Sequence, residues 1–480
     1  MKAKFLRLLV LSSFILVGCN NSAKEKESTE PEQQQPSGDQ GGQTPGDSYV
    51  PLKKKVNVKM EALLKGSDTP YNVEFDYDDS LFLKDAEVYD KDLSLLSFGA
   101  AVSATYENWA KDFLRDCEFS DSLSHEMNIE PTENTLGYTL GHKDVNGSEL
   151  FAVMIRGHEY KKEWANNFII GETGDHQGWL ARASELYTSL ASYVNQYKDQ
   201  KNVKLWIVGY SRAGAISNML SSLIFRGNGF TANAKDMFVY TFEAPAGLTQ
   251  EHAIKYKNVH NIVNSADIVA YIPPTQYELY RAGEDFEIYD ANVATYVSQF
   301  DSQVSVPAWT TCNPSHFDGQ TINNDVELTQ YLINNIFANK KNDAVSAHTR
   351  ALYVQNYQSG LSYSVGLLLA LSGTTRSQML ADLQSNPMFP LNVLSIIGDD
   401  TGAALASTLS TYLDQDNITY DNDELVAACA VMVKAVQNLF MKFLGYYMQD
   451  TYKGNLTRIL DMHYPEVTYC LLKNAHSKLA

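Results

Sequence analysis

The feature that most constrains this chain is a short apolar strand that leads without a break into a helix. Residues 204–214 read KLWIVGYSRAG, and a helix-like segment follows them. A serine on such a sharp turn needs small residues two positions before and after it, because the strand and the helix pass closely there. Gly209 and Ala213 occupy these positions. An ordinary loop with glycine and serine would lack the flanking strand and helix, so the context favours a nucleophile at Ser211.

Strand-like and helix-like segments alternate on both sides of this turn. Apolar runs of strand character lie at 150–155, 204–209, 237–242, 259–263 and 277–289, and helical spacing recurs at 92–118, 179–197 and 212–225. Such alternation is typical of a mostly parallel sheet that helices cover on both faces. Short apolar–polar alternation over 53–84 predicts an additional antiparallel hairpin or edge strands. The predicted fold class is therefore α/β.

The sequence changes character after about residue 320. Helical spacing then dominates at 326–337, 361–372, 376–383, 402–414 and 424–448. We interpret residues 51–320 as the α/β core, 321–460 as a helical insertion or cap, and 461–480 as a final loop and helix that return to the core. The apolar stretch 367–371 of this cap is too short to span a membrane.

Residues 1–18 are predicted to be a targeting segment that is not part of the fold. A basic start and a short apolar core lead to Leu-Val-Gly-Cys, which ends at Cys19. This resembles a bacterial lipobox and predicts a lipoprotein signal peptide over 1–18, with Cys19 as the lipidated residue. Residues 19–50 are rich in polar residues, glycine and proline and are predicted to be a disordered tether. We therefore expect a lipid-anchored protein of the bacterial cell envelope, at the outer membrane or cell surface.

The charge of the chain excludes one class of partner. Its formal net charge is −19 at pH 7, from 57 acidic and 38 basic residues. A chain so acidic repels nucleic acid and anionic surfaces. We expect no nucleic-acid partner.

The cysteines are too widely spaced for a zinc site. Those that follow Cys19 are Cys117, Cys312, Cys429 and Cys470, and none belongs to a Cys-x-x-Cys pair. A zinc site is therefore not expected. The spacing does not reveal how these cysteines would pair in disulfides. The sequence implies neither a metal nor an organic cofactor.

Several segments, taken in order, resemble the class 3 lipase family, the α/β-hydrolases related to fungal triacylglycerol lipases. The similar segments are 151–157 with Trp164 behind them, 176–179, the serine turn 209–214, 241–245 and 261–269. Residues 241–245 read TFEAP, which is similar to the family's strand end Thr-Phe-Gly-x-Pro. The resemblance covers roughly residues 90–290. It implies the α/β-hydrolase fold and a Ser, acid and His triad that acts on acyl esters.

The acid of that triad is predicted to be Asp267. It follows the strand 259–263 at the sheet edge where Ser211 lies, and the chain order of this fold is nucleophile, acid, base. The surrounding VNSADIV resembles the family's Val-Asn-x-x-Asp-x-Val pattern. An aspartate that only caps the next segment would occupy such a loop as well. Asp301 is a weaker alternative.

Three histidines that follow Asp267 compete for the role of base. His463 precedes a Pro-Glu pair that suits the first turn of a helix, so it would lie in the loop before a final helix. His348 resembles the family's His-x-x-aromatic ending more loosely and lies in a helix-like segment. His316 follows Pro-Ser in a loop. We predict His463, which requires that the block 321–460 be inserted before the base.

Two backbone N–H groups are predicted to form the oxyanion hole. One belongs to Arg212 at the start of the helix, and the other to His158, which follows Arg156 and Gly157. The family usually has Ser or Thr at the position of His158, and that hydroxyl assists. The departure argues against efficient lipase activity, while a plain loop role for His158 stays open.

Together these residues predict a serine hydrolase of the lipase or esterase type that works through an acyl-serine intermediate. The expected partners are an acyl ester, with a lipid favoured by the apolar cap, and a membrane reached through the N-terminal anchor. Two alternatives keep the same fold: a non-catalytic surface lipoprotein that binds lipid or glycan, and a serine peptidase. The sequence does not determine the acyl chain length, the head group or the oligomeric state.

Overall fold

The computed structural model describes residues 49–333 apart from short gaps, which include most of 158–172 and all of 307–320, together with 401–415, isolated residues between 422 and 458, and 461–475. Its strands are β1 (Lys53–Ala62), β2 (Ser67–Asp78), β3 (Ser120–His125), β4 (Tyr138–Val145), β5 (Ser148–Ile155), β6 (Asn202–Tyr210), β7 (Met237–Phe242), β8 (Val259–Asn264) and β9 (Glu284–Ile288). Its helices are α1 (Lys91–Ser103), α2 (Glu107–Asp116), α3 (Gln177–Tyr197), α4 (Arg212–Arg226), α5 (Val293–Phe300), α6 (Asp325–Leu332), α7 (Ala403–Gln415) and α8 (Pro465–Ala475).

A seven-stranded sheet forms the centre, with its strands in sequence order from β3 to β9. β3, β4 and β5 pair antiparallel, and β5 to β9 pair in parallel. The register sets Tyr210, Phe242 and Ile262 side by side near the carboxyl ends of β6, β7 and β8. Because carboxyl ends of parallel strands meet at one edge, the segments that follow these strands lie together there.

Helices cover both faces of the sheet. Helices α3 and α4 pack on one face, where Leu205 and Ile207 of β6 are buried. Helices α1 and α8 and the hairpin of β1 and β2 pack on the other face, against Trp206 and Val208. A strand buried on both faces reads as a continuous apolar run, as β6 does. The mostly parallel sheet between two helical layers confirms the predicted fold class.

The hairpin predicted over 53–84 is present, since β1 and β2 pair antiparallel. The helix predicted over 92–118 is instead two helices, α1 and α2. The hydroxyl of Thr105 donates to the carbonyl oxygen of Val102 at 2.9 Å, and Tyr106 is extended with φ −125° and ψ 144°. A side chain that competes for the backbone carbonyls and an extended residue end the first helix there.

The prediction missed the antiparallel strands β3 and β4. β3 reads SDSLSH, which lacks the β-branched and aromatic residues that mark strands. Its pairing with β4, and that of β4 with β5, supplies what local propensity does not. The turn residues Asn146 and Gly147 join β4 to β5 and so belong to a hairpin.

The C-terminal helices agree with the prediction where the structure describes them. α6 and α7 begin within two residues of the predicted 326–337 and 402–414, and α8 corresponds to the final helix predicted within 461–480. The predicted helices 361–372 and 376–383 and most of 424–448 lie outside the described residues. The insertion 321–460 therefore stays a prediction.

The predicted N-terminal signal, the predicted lipidation site Cys19 and the predicted tether up to residue 48 also lie outside the described residues. Within the part of the chain that the structure covers, none of the helices has the length and apolar character needed to cross a membrane. Cys117, Cys429 and Cys470 are buried free thiols. Cys312 lies outside the described residues.

Candidate active site

The turn between β6 and α4 holds Ser211 in a conformation that few residues adopt. Its backbone has φ 56° and ψ −126°, and a positive φ is uncommon for a residue with a side chain. The Ser211 N–H donates to the carbonyl oxygen of Phe242 at 2.8 Å, so the neighbouring strand fixes the turn. The serine is half-buried and stands at the N-terminus of α4, where the helix dipole is positive.

Close backbone contacts explain the small residues around Ser211. A Cβ on Gly209 would lie 2.4 Å from both the carbonyl carbon and the carbonyl oxygen of Ala213. A Cβ on Gly157 would lie 2.2 Å from the carbonyl oxygen of Tyr210. Both glycines are therefore required by the approach of another backbone segment. The end of β5 packs directly against the serine turn.

Ser211, His463 and Asp267 form one hydrogen-bonded chain. Nε2 of His463 lies 2.9 Å from Oγ of Ser211, and Nδ1 lies 2.6 Å from Oδ2 of Asp267. The Asp267 side chain is fully buried, whereas 23% of the His463 side chain is exposed. A carboxylate that accepts the Nδ1 proton leaves Nε2 as the acceptor for the serine hydroxyl. The arrangement can activate a serine nucleophile.

Backbone contacts fix the orientation of Asp267. Its Oδ1 accepts the N–H of Val269 at 2.8 Å, which leaves Oδ2 directed at His463. Its own N–H donates to the carbonyl oxygen of Asn264 at 2.8 Å. Asp267 therefore both caps the short 3₁₀ helix at Val269–Tyr271 and faces the histidine. The geometry of Asp267 is thus compatible both with capping of the next segment and with the role of acid beside the histidine.

The loop before α8 holds His463 between the segments that carry the other two residues. The Tyr210 hydroxyl donates to the carbonyl oxygen of His463 at 2.7 Å. The side-chain amide of Asn264 donates to the carbonyl oxygen of Met462 at 3.1 Å. Tyr210 directly precedes Ser211, and Asn264 ends the strand that leads to Asp267. The side chains of Tyr210 and Asn264 therefore bind the backbone of the segment that carries His463.

One buried acid near the triad was not anticipated: Glu243, which directly follows β7. Thr468 donates its hydroxyl to Oε1 at 3.0 Å, and the N–H of Asn264 donates to Oε2 at 2.9 Å. Burial, and then the charge of Asp267, raise the pKa of Glu243 well above its usual range. The signal was present in the sequence, since Glu243 stands where the similar strand end has glycine.

Of the two residues predicted for the oxyanion hole, the structure describes Arg212. It is the first residue of α4 and is buried, so its N–H is next to Ser211 in the chain and in space. His158 lies outside the described residues. Gly157, which precedes it, packs against the serine turn.

Asp301, the alternative acid, does not join this chain of hydrogen bonds. Asp301 follows α5 and accepts hydrogen bonds from Tyr71 at 3.0 Å and Lys65 at 3.3 Å. His316 and His348 lie outside the described residues. Among the residues that are described, no group of three or more His, Cys, Asp or Glu side chains could hold a metal ion.

Part of the chain, including residues of this site, is similar to known lipases. Residues 152–277 match the family model described as Lipase (class 3). A lipase from Rhizomucor miehei is 25% identical over 199 residues, which are 38% of this chain and 53% of the relative. The chain thus spans about half the length of this curated relative. The predicted resemblance to class 3 lipases is confirmed over the matched residues, which include Ser211 and Asp267.

Solved structures that match part of this chain also include lipases. One is a triacylglycerol lipase described as having a serine protease triad as its catalytic centre, with 18% identity over 43% of this chain and 83% of that chain, at a TM-score of 0.34. The lipase from Rhizopus microsporus var. chinensis has 15% identity over 41% of this chain and 75% of its own, at a TM-score of 0.31.

Proposed function

We propose that this protein is a carboxylic ester hydrolase of the lipase or esterase type, with Ser211 as nucleophile, His463 as base and Asp267 as acid. The observation that supports this most directly is the hydrogen-bonded chain of these three side chains at the carboxyl edge of the parallel sheet. The class 3 lipase match over 152–277 supports an ester substrate.

In the proposed acylation step, Oγ of Ser211 attacks the ester carbonyl carbon while Nε2 of His463 takes the hydroxyl proton. Asp267 accepts the Nδ1–H and stabilises the imidazolium that forms. His463 then gives its proton to the leaving alkoxide as the carbon–oxygen bond breaks. The products are an alcohol and an acyl-serine.

In the deacylation step these roles are reversed, and the carboxylic acid product is released. His463 takes a proton from water, the hydroxide attacks the acyl carbonyl, and Ser211 leaves with the proton. In both steps the N–H groups of Arg212 and His158 would stabilise the oxyanion, and one such donor is typically worth about 10²–10³ in kcat. The positive end of the α4 dipole adds to this stabilisation.

We further propose that the substrate is a lipid ester and that the enzyme acts at the bacterial cell envelope. The lipobox-like end of residues 1–18 and the polar tether up to residue 50 support attachment through Cys19. Acyl chains on Cys19 would hold the catalytic core near a lipid surface. Replacement of Cys19 with Ala should release the protein from the membrane fraction and abolish incorporation of labelled palmitate. An unchanged membrane fraction would refute the anchor.

The first experiment is labelling of the protein with a fluorophosphonate probe, which reacts with activated serines. We expect no labelling of Ser211→Ala. The rate of labelling of His463→Ala should be lower than that of the parent by about 10³-fold or more. His252→Ala is the matched control, because His252 binds Asp175 at 2.7 Å in a similar contact that belongs to another part of the molecule. That variant should label at the rate of the parent.

Other outcomes would redirect the proposal. Loss of labelling in His348→Ala or His316→Ala, with labelling kept in His463→Ala, would assign the base to that residue. No labelling of the folded parent would favour a non-catalytic protein that binds lipid or glycan. Turnover of short p-nitrophenyl esters separates ester hydrolysis from this binding role, and cleavage confined to a peptide panel would favour a serine peptidase.

A further inference from the structure

A second carboxyl group lies directly beneath the triad and is not needed by the acyl-transfer scheme. Glu243 follows β7, the strand between the one that leads to Ser211 and the one that leads to Asp267. Its side chain has no exposed surface. Asn264 joins the two acids, because its N–H donates to Oε2 of Glu243 at 2.9 Å and its carbonyl oxygen accepts the N–H of Asp267 at 2.8 Å. Burial raises the pKa of Glu243, and the charge of Asp267 acts on Glu243 and raises this pKa further. Two carboxyl groups so close in a buried site cannot both be ionised without a large penalty.

The contacts of Glu243 connect it to the segments of both the acid and the base. Oε2 binds the N–H of Asn264 at 2.9 Å, in the strand that leads to Asp267. Oε1 binds the Thr468 hydroxyl at 3.0 Å, and this hydroxyl lies 3.1 Å from the Tyr210 hydroxyl. Tyr210 in turn donates to the carbonyl oxygen of His463 at 2.7 Å.

A purely structural role explains this residue poorly. Glu243 has φ 51°, in the left-handed region that favours glycine. A glycine there would remove the backbone strain, and an apolar side chain would remove the buried charge. The chain instead keeps an acid in a strained conformation against another acid. Such costs are concentrated at functional sites.

We propose that Glu243 is a positioning residue that keeps a proton and donates it in a hydrogen bond to Asp267. The pair then carries a single negative charge, and that charge stays on the carboxylate that faces His463. The same side chain ties Asn264 and Thr468 into one network. This inference rests on the proposed function, because it assigns Asp267 to the catalytic triad.

The other titratable groups around Glu243 fit this assignment. Tyr210 and Tyr271 interact electrostatically with Glu243 and are neutral, since burial raises the pKa of both hydroxyls. Arg281 also interacts with Glu243, but its guanidinium forms a two-pronged ion pair with Asp285, at 3.1 and 2.7 Å. The positive charge is therefore already matched, and Asp267 is the acid that faces Glu243.

The test compares two replacements of Glu243 in the full-length protein. Glu243→Gln keeps a donor for Asp267 and one acceptor oxygen for the N–H of Asn264, and the Thr468 hydroxyl can turn to accept from the amide. Glu243→Met keeps the volume and removes all three hydrogen bonds. Glu466→Gln is the matched control, because Glu466 is another fully buried acid whose oxygen binds the N–H of Leu64 at 2.8 Å. The Tm of each variant checks its fold.

We expect Glu243→Gln to hydrolyse a short p-nitrophenyl ester within about threefold of the parent, with the acidic limb of the kcat/KM profile unmoved. Glu243→Met should lose about 10- to 100-fold in kcat with little change in KM, because the triad is misaligned. Glu466→Gln should match the parent in both constants. A fully active Glu243→Met, or an acidic limb that Glu243→Gln moves to lower pH, would overturn the proposal.

A spectroscopic readout separates this inference from the proposed function. The downfield proton resonance of His463 Nδ1 reports its hydrogen bond with Asp267 whether or not an ester is cleaved. We expect this resonance in the parent and in Glu243→Gln, and its shift or loss in Glu243→Met. If the parent cleaves no ester but this pattern holds, the proposed function fails and the positioning role stands. If all three share one resonance, the positioning role fails alone.

Discussion

At the scale of single residues, the two carboxylate oxygens of Asp267 bind different groups. Both hydrogen bonds form in one orientation of the side chain. One oxygen accepts a backbone N–H, and the other accepts the Nδ1–H of His463. A residue that offers a donor in place of the second oxygen would hold the ring in the wrong tautomer. The orientation of this side chain therefore determines whether the histidine can act as a base.

Asp267→Asn tests this orientation with minimal change of shape. We expect kcat for a short ester to fall by about 10⁴-fold while the protein stays folded, because the amide disfavours the productive tautomer. Asp301→Asn is the matched control, since Asp301 was the alternative acid and binds Tyr71 and Lys65. Steady-state kinetics should place that control within about threefold of the parent. Equal losses in the two variants would contradict the assignment.

The sequence was more informative about some of these residues than others. Ser211 and Asp267 stand in local patterns that carry their own geometry, a strand-to-helix turn and a strand end. His463 had only the signal of a following helix, because no local pattern records which loop reaches the sheet edge. Glu243 was missed because burial beside another carboxyl is a property of the assembled fold.

At the scale of secondary structure, the start of α8 is secured by a second buried acid. Oε1 of Glu466 accepts the N–H of Leu64, in the turn after β1, at 2.8 Å. Burial raises the pKa of Glu466 to about 7. The acid therefore joins the β1–β2 hairpin to the helix that follows His463. Burial favours its protonated form more than the N–H of Leu64 favours its charged form.

Glu466 makes the stability of the protein depend on pH. The folded protein binds this proton more tightly than the unfolded chain, whose pKa is the ordinary 4.5, so stability is lost as pH rises from 4.5 through about 7. We expect a loss of roughly 3 kcal/mol in the free energy of unfolding between about pH 5 and about pH 8 that Glu466→Gln lacks. Denaturant unfolding at both pH values measures it. An identical pH dependence in the variant would contradict the prediction.

A buried ion pair joins α6 to the segment that precedes His463. Nε and Nη2 of Arg458 each lie 2.8 Å from Oδ2 of Asp325, and both side chains are nearly inaccessible. The Tyr289 hydroxyl donates to the same oxygen at 3.0 Å. Asp325 and Arg458 are 133 positions apart, near the two ends of the predicted insertion. The pair thus joins two positions that lie close to the boundaries predicted for that insertion.

Removal of one partner should cost more than removal of both. Arg458→Met leaves a buried aspartate unpaired, and we expect the free energy of unfolding to fall by about 3–5 kcal/mol. The double variant Arg458→Met with Asp325→Leu should recover most of that loss, because no buried charge is left. Denaturant unfolding of the two variants and the parent gives the comparison. A double variant as unstable as the single one would contradict it.

At the scale of the whole molecule, repulsion between like charges opposes the stabilisation that comes from burial of apolar surface. Acidic residues outnumber basic ones by 57 to 38, and an excess of one sign destabilises the compact state. The two apolar clusters on the faces of the sheet oppose this repulsion. Long-range repulsion is screened by salt, whereas burial of apolar surface is not.

The Tm should therefore rise with ionic strength. Between about 0.01 M and 0.15 M NaCl the Debye length falls from about 30 Å to about 8 Å. We expect the Tm to increase by about 2–4 °C over this interval, which corresponds to about 1 kcal/mol for a large domain. Thermal unfolding followed by circular dichroism at both salt concentrations measures it. A lower Tm at high salt would mean that surface ion pairs outweigh the net repulsion.

The sequence by itself determined the α/β class, the strand before Ser211 and the helix after it, and the strand end that carries Asp267. These follow from short-range rules, since periodicity, small residues and helix starts act over a few positions. It also placed His463 before a helix and left His348 and His316 as rivals. Only the tertiary structure brought His463 to Ser211, across 252 positions. It also buried Glu243 against Asp267, because contacts between distant segments depend on the register of the sheet and the packing of its two faces.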